Sequence, residues 1–195
     1  MNIPNQLTVF RIILIPIFII VLVGGFWTDT LTIMGTSLPL FQLIAAIIFV
    51  VASFTDFLDG YIARKNNLVT NFGKFADPLA DKMLVITAFV LLIAIDKAPA
   101  WMIAIIVCRE LAVTGLRLLI VEENGKVLSA AILGKIKTFS QMTAITFLLL
   151  NNMIFNLIHL PIGEILLWIC LVFTVWSGID YFYQNRQIFA DSFKK

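Results

Sequence analysis

Four aspartates fall within one short stretch, DFLDGYIARKNNLVTNFGKFADPLADK, as Asp56, Asp59, Asp77 and Asp81. The chain around them is 61% hydrophobic and has only twelve Asp and Glu residues. A charged side chain at mid-membrane costs about 2.5 to 3.5 kcal/mol, so four carboxylates facing lipid would cost on the order of 10 kcal/mol. The aspartates must therefore face groups that compensate for this cost.

Divalent cations are the natural complement of such a cluster. Carboxylate oxygens without His or Cys are hard ligands, which suit Mg²⁺ or Mn²⁺. Two such ions held about 3.5 to 4 Å apart can clamp the attacking and leaving oxygens of a displacement at phosphorus. The stretch therefore predicts transfer of a phosphorus-containing group at a site with two metal ions.

The elements that must position the aspartates are membrane helices. A mean hydropathy of +1.00 and a charged fraction of 13% exclude an ordinary soluble globular protein. We predict an all-α polytopic membrane protein, a bundle of six transmembrane helices with a polar active site on its cytoplasmic side. The predicted spans are residues 7–24, 39–58, 79–95, 99–120, 138–156 and 162–183. Asp56 and Asp59 then end the second helix, while Asp77 and Asp81 begin the third.

The distribution of basic residues predicts the topology. Thirteen of the fourteen Lys and Arg residues lie in the loops and adjoining span ends on one side of the predicted bundle, and Lys97 alone lies on the other side. The positive-inside rule makes the first side cytoplasmic, with both termini there, and predicts a multi-pass protein of the cell membrane. No cleavage site follows the first apolar run, so we expect it to be retained as a helix.

The loops are short and no linker divides the chain, so residues 1–195 are predicted to form one domain. Cys108 and Cys170 are predicted to be buried free thiols. His159 has no Cys or His cluster beside it, which argues against a zinc site.

A polar stripe marks the start of the first helix, where Asn5, Thr8 and Arg11 recur at every third residue. Arg11 could simply anchor the helix at the membrane surface. The alternative is that the stripe lines a polar cavity shared with the aspartates.

Basic residues near the fourth and fifth spans could bind an anionic acceptor. Arg109, Arg117, Lys135 and Lys137 are directed toward the cytoplasmic end of the predicted bundle, a suitable cradle for a phosphate. Two alternatives remain open. Lys135 and Lys137 could be ordinary cytoplasmic-side residues, and Arg109 could pair with Glu110 or with an aspartate.

The stretch from Asp56 to Asp81 reads D-x2-D-G-x2-A-R-x8-G-x3-D-x3-D and resembles the signature of the CDP-alcohol phosphotransferase family of six-helix membrane enzymes. The resemblance implies that the four aspartates hold two metal ions and that Asp81 is also the general base. It implies a nucleotide site that includes Asn5, Thr8, Asp56, Gly60, Ala63, Arg64 and Gly73. Taken singly, the small residues among these could equally serve helix packing.

The strings "REL…TGLR" and "GKIKT…Q" resemble the branch of the family that uses glycerol 3-phosphate. The expected function is phospholipid biosynthesis: transfer of a phosphatidyl group from CDP-diacylglycerol to sn-glycerol 3-phosphate, with release of CMP. The acceptor phosphate would bind Arg11, Arg109, Arg117, Lys135 and Lys137. A homodimer surrounded by membrane lipids, without nucleic acid, is expected. The alternatives are another acceptor (serine, an inositol phosphate or phosphatidylglycerol) or, from a different class, an ion-coupled transporter.

Overall fold

The computed structural model describes residues 2–27, 29–33, 35–65, 71–122, 132–153 and 160–186. Within these ranges the chain is mostly helical, as predicted. Six helices and two short strands follow in the order α1 (Ile3–Val23), β1 (Thr30–Ile33), β2 (Thr36–Pro39), α2 (Leu40–Lys65), α3 (Asn71–Ala94), α4 (Ala100–Glu122), α5 (Ile132–Leu149) and α6 (Ile162–Gln184).

Helix boundaries differ in several places from the apolar segments that predicted them, and three of these differences bear on the predicted site residues. Helix α2 continues past residue 58 to Lys65, and α3 begins at Asn71 rather than at 79. Both aspartate pairs therefore lie inside helices rather than at their ends. Helix α5 begins at Ile132 rather than at 138, so Lys135 and Lys137 are helical instead of ending a loop. Hydropathy locates the apolar part of a helix, whereas the backbone hydrogen bonds continue into its polar ends.

A β-hairpin between α1 and α2 was not predicted. Strands β1 and β2 pair antiparallel, with Thr30 opposite Pro39 and Ile33 opposite Thr36. Gly35 lies in the turn with a φ of 77°, a left-handed conformation that glycine adopts without steric cost. The β-branched Thr and Ile residues beside this glycine favour strands, a local signal that hydropathy alone does not detect.

The chain folds as two compact units, the first comprising Met1–Ala98 with Ile145–Gly163 and the second Pro99–Ala144 with Glu164–Lys195. In the first unit, α1 packs against α2 and α3. Phe18 of α1 and Phe49 of α2 are fully buried, with their ring centroids 6.3 Å apart. Burial of such aromatic pairs fixes α1 beside the helix that carries the first two aspartates.

The second unit contains α4, α6 and the first part of α5. Trp101 of α4 and Trp168 of α6 meet edge to face, with ring centroids 5.7 Å apart. Cys170 and Thr174 of α6 are fully buried, and their Sγ and Oγ1 atoms lie 3.8 Å apart. The edge-to-face aromatic contact thus connects α4 to α6, and the contact between Cys170 and Thr174 lies within α6.

Both cysteines are free thiols, as predicted, but only Cys170 is buried. Cys108 is exposed, which corrects the expectation of burial. It lies on the same face of α4 as the exposed Trp101 and Ile105, because residues three, four and seven apart share a helix face. His159 lies outside the described residues.

Two helices of the described chain are long and apolar enough to cross a bilayer, Asn5–Val23 and Ile162–Gln184. A further apolar helical stretch, Leu40–Asp56, is shorter. Large apolar side chains cover the outer surfaces of these helices: Val23 of α1 is 64% exposed and Ile179 of α6 is 67% exposed. Exposure of so much apolar surface to water would be unfavourable, so the outer surface of these helices is typical of a membrane protein.

Candidate active site

Helices α2 and α3 carry the aspartates, and α1 packs against both of these helices. Asp56 and Asp59 lie in the second half of α2, while Asp77 and Asp81 lie one turn apart in the first half of α3. The polar end of α1 supplies side chains that bind to two of the four. The polar stripe of α1 therefore contacts two of the aspartates directly.

Thr8 binds one aspartate. Its Oγ1 donates a hydrogen bond to Oδ1 of Asp77 at 2.5 Å, and the Thr8 side chain is fully buried. The bond joins residues that are 69 positions apart in the chain. A buried hydroxyl that donates to a carboxylate fixes the rotamer of that carboxylate, so Thr8 orients Asp77.

Arg11 binds a second aspartate. Its Nη1 lies 2.8 Å from Oδ1 of Asp56, and its Nε donates to the carbonyl of Ala52 at 3.3 Å. The Arg11 side chain is fully buried, whereas that of Asp56 is 35% exposed. Removing a guanidinium from solvent requires a charged or polar partner, which Asp56 and the α2 backbone provide. Arg11 is therefore not a surface anchor, and its guanidinium faces the aspartate site.

Two carboxylates of this site interact with each other. The negative charges of Asp56 and Asp77 lie close enough to repel, while Arg11 attracts Asp56. Like charges held together in a partly buried site favour binding of a cation between them. Two neighbouring carboxylates of this kind are compatible with a bound divalent cation.

The donor set fits such an ion in chemical type. Asp56, Asp77 and the partly buried Asp81 offer carboxylate oxygens, the ligands preferred by Mg²⁺ and Mn²⁺. Among the side chains that the structure describes, no group of three or more His, Cys, Asp or Glu residues could hold a metal ion. The Asp59 carboxylate, the fourth predicted ligand, is not among those side chains.

A second polar cluster lies in the other compact unit. Glu110 of α4 accepts from Arg109 Nη1 at 3.0 Å and from Lys137 Nζ of α5, both on the same oxygen, Oε1. Arg109 Nη2 also donates to Ser177 Oγ of α6 at 2.9 Å. Two of the predicted acceptor-binding cations are therefore drawn together by one carboxylate.

Comparison with known proteins identifies the family. A profile of the CDP-alcohol phosphatidyltransferase family matches residues 1–176. The chain belongs to this family. The aspartate stretch from Asp56 to Asp81 lies entirely within the matched residues.

Three bacterial relatives match this family member over more than nine-tenths of its length. A Bacillus subtilis (strain 168) protein is 50% identical, over 98% of this chain and 98% of its own. One from Rickettsia bellii (strain RML369-C) is 41% identical, over 96% and 97%. One from Salmonella paratyphi A (strain ATCC 9150 / SARB42) is 36% identical, over 92% of each. All three are named CDP-diacylglycerol–glycerol-3-phosphate 3-phosphatidyltransferase, and none carries a transporter name.

Several residues expected from the family motif can be placed in the structure. Gly73 is buried in α3, and Asn5 is 9% exposed in α1. The backbones of Asp59, Gly60, Ala63 and Arg64 continue helix α2, but their side chains lie outside the described part of the structure. Of the predicted acceptor-binding residues, Arg117 in α4 and Lys135 in α5 are exposed.

Sequence analysis missed two residues that contact Arg109, namely Ser177 and Gly178. The pairing of Arg109 with Glu110, one of the alternatives left open, is present in the structure, but the bond from Lys137 to Glu110 was not predicted. Glu110 was considered solely as a possible partner of Arg109. A Cβ built on Gly178 would lie 3.0 Å from Arg109 Cγ, so this glycine allows the arginine to pack closely. The adjacent small residues Ser177 and Gly178 in an apolar helix are a signal of close packing that could have found them.

Proposed function

We propose that the protein transfers a phosphatidyl group from CDP-diacylglycerol to the 1-hydroxyl of sn-glycerol 3-phosphate, giving phosphatidylglycerophosphate and CMP. The observation that carries the proposal is the 50% identity, over 98% of both chains, to the Bacillus subtilis relative of that name. Two further relatives with the same name, at 41% and 36% identity, support it. The protein is thus placed in phospholipid biosynthesis.

The reaction forms one bond to phosphorus and breaks another. The oxygen of the acceptor hydroxyl attacks the phosphorus that carries diacylglycerol, and the bond from that phosphorus to the bridging pyrophosphate oxygen breaks. CMP leaves with the bonding electrons. We assign the hydroxyl proton to Asp81, because a partly buried carboxylate can accept a proton as the oxygen attacks.

Asp56, Asp59, Asp77 and Asp81 are the proposed metal ligands, for two ions of Mg²⁺ or Mn²⁺. When bound, the ions supply positive charge that stabilises the pyrophosphate oxygens and the CMP leaving group. The chain's own contribution is orientation: Thr8 directs the Asp77 carboxylate and Arg11 the Asp56 carboxylate. Such second-layer contacts raise the affinity and the selectivity of a metal site.

Binding of the two substrates is assigned to residues of the motif and to the basic residues. The nucleotide site comprises Asn5, Thr8, Asp56, Gly60, Ala63, Arg64 and Gly73. The phosphate of the acceptor is assigned to Arg11, Arg109, Arg117, Lys135 and Lys137. The ion pair between Arg11 and Asp56 gives Arg11 a second role beside the metal ligands.

The proposed setting is the cytoplasmic membrane. We assign one family domain to residues 1–195, six transmembrane spans with both termini in the cytoplasm, and a homodimer in contact with membrane lipids. Thirteen of fourteen basic residues on one predicted side support this topology.

CMP release from CDP-diacylglycerol tests the proposed function. Purified protein in detergent with Mg²⁺ is assayed with glycerol 3-phosphate, serine, inositol phosphate or phosphatidylglycerol, and without acceptor. We expect release with glycerol 3-phosphate alone. Release only with one of the other alcohols would preserve the reaction and overturn the assigned acceptor.

Asp81→Asn tests the assigned base. The amide is nearly isosteric but cannot accept the proton, so we expect turnover to fall by about 10² to 10⁴-fold. Asp96→Asn is the matched control, because Asp96 is exposed and its left-handed φ of 57° suits asparagine. Full activity of Asp81→Asn would remove Asp81 as the base.

A further inference from the structure

Arg109 is held on three sides by its own compact unit. Glu110 Oε1 accepts from its Nη1 at 3.0 Å, and Ser177 Oγ accepts from its Nη2 at 2.9 Å. Its side chain also packs against the backbone of Gly178, where an added Cβ would lie 3.0 Å from Cγ and 3.3 Å from Nε. Both ends of the guanidinium and the chain that carries it are therefore fixed.

The same carboxylate fixes Lys137, which is 6% exposed and also donates to Glu110 Oε1. Two cations bound to one carboxylate oxygen are held close together, and the three charges leave one net positive charge. A phosphate monoester carries about −1.5 to −2 charge at neutral pH and has three acceptor oxygens, so it can bridge two such cations.

Arg109 also retains a donor for a ligand. Its buried Nε has no hydrogen-bond partner among the residues that the structure describes. A buried guanidinium N–H without an acceptor is costly, and a phosphate oxygen is a suitable acceptor for it. The cluster therefore has fixed cations, net positive charge and a guanidinium N–H that no described acceptor satisfies.

We propose that Glu110, Ser177 and Gly178 are positioning residues that hold Arg109 and Lys137 in the arrangement that binds the phosphate monoester of the acceptor. This inference rests on the proposed function, because it takes Arg109 and Lys137 as acceptor-phosphate ligands. It adds that Arg109 can adopt this position only if residue 178 has no side chain. A Cβ at residue 178 would lie 3.0 Å from Arg109 Cγ and 3.3 Å from its Nε, closer than ordinary van der Waals contact, so the arginine side chain would shift by a few tenths of an ångström.

Gly178→Ala against Gly115→Ala is the test. Both glycines lie inside helices and gain similar helix propensity from alanine, but a Cβ at Gly115 meets no described atom within 4 Å. In Gly178→Ala we expect the KM for glycerol 3-phosphate to rise about tenfold, the loss of one hydrogen bond to a charged group. The kcat at saturation, the KM for CDP-diacylglycerol, and all parameters of Gly115→Ala should stay unchanged.

Ser177→Ala and Ser177→Thr provide a second pair, in which the alanine adds no atom to the helix contact. The alanine removes the acceptor for Arg109 Nη2 and should raise the same KM about threefold, while threonine keeps a hydroxyl and should restore it. This pair decides the question if Gly178→Ala does not fold. Inorganic phosphate serves as a competitor of glycerol 3-phosphate. Its inhibition constant should rise in each variant by about the same factor as the KM for glycerol 3-phosphate.

The proposal would be overturned if Gly178→Ala and Gly115→Ala had equal KM values for glycerol 3-phosphate and if Ser177→Ala left this KM unchanged. A rise in the KM for CDP-diacylglycerol instead would assign the cluster to the phosphate of the lipid substrate and would overturn it as well. Failure of the unmodified protein to release CMP with glycerol 3-phosphate is a separate result. It would reject the proposed function before any variant is compared.

Discussion

Two charged clusters of this chain have opposite balances. In the first unit, Arg11 binds one of several carboxylates, so acidic groups are in excess. In the second, Glu110 binds two cations, so basic groups are in excess. In each cluster a residue of the minority charge binds residues of the majority charge, neutralises part of that charge and orients the side chains that carry it.

This difference explains how one apolar protein can contain binding sites for ligands of opposite charge. A fully neutralised cluster would be stable but would bind ions weakly, and a fully unbalanced one would be costly to bury. Partial neutralisation, by Arg11 in the first cluster and by Glu110 in the second, lowers the cost of burial and leaves charge for the ligand: a cation beside the aspartates, a phosphate beside Arg109 and Lys137. Removing the counter-charge should therefore affect both stability and binding.

Removal of Arg11 should have the larger effect on stability. In Arg11→Met, Asp56 and its neighbour Asp77 lose their cation, and we expect about 3 kcal/mol of destabilisation, the lower end for a broken buried pair because Asp56 is 35% exposed. Thermal unfolding in detergent measures it. Arg186→Met is the control, since Arg186 is exposed and stacks on Tyr183. Equal shifts in the two variants would show that the Arg11 pair contributes nothing to the fold.

Removal of the charge of Glu110 should come next. Glu110→Gln leaves Arg109 and Lys137 close together without a carboxylate, and we expect a loss of about 2 kcal/mol, the scale of a hydrogen bond to a charged group. The same unfolding measurement applies. Asp180→Asn is the control, because its exposed carboxylate binds only Gln184 within the described part of α6. An unchanged midpoint for Glu110→Gln would contradict the described pairing of the two cations.

The smallest effect is expected at Thr8. Thr8→Val keeps the shape and removes the donor to Asp77, a change of about 1 kcal/mol that corresponds to roughly fivefold. We expect the Mg²⁺ concentration for half-maximal CMP release to rise by that factor, with rescue in Thr8→Ser. Unchanged Mg²⁺ dependence with a raised KM for CDP-diacylglycerol would favour direct nucleotide binding by Thr8 instead.

Much of the helical architecture could be predicted from the sequence, because long apolar runs specify helices in a membrane with little ambiguity. The β-hairpin was missed, since its signal is local: alternating β-branched residues around Gly35. The early start of α5 was missed because helical hydrogen bonding, unlike hydropathy, does not end where polar residues begin.

For the site, the aspartates could be found from type and spacing, as carboxylates are rare in an apolar chain. Their partners could not be found in this way. Thr8 and Asp77 are far apart in sequence, and only the packing of α1 against α3 brings them together. Glu110 could be paired with Arg109 by adjacency, whereas its bond to Lys137 depends on how α4 and α5 pack.

The pair of Arg11 and Asp56 also bears on the order of synthesis. Arg11 lies in the first helix, and Asp56 is added to the growing chain about 2 to 9 s later at usual elongation rates. On the proposed topology, α1 must enter the bilayer while its arginine has no carboxylate to bind. The strongly apolar residues that follow Arg11 offset this, since each Leu, Ile, Phe or Val contributes about −0.3 to −0.6 kcal/mol to insertion. The first helix is thus apolar enough to insert into the bilayer before Asp56 of the second helix has been synthesised.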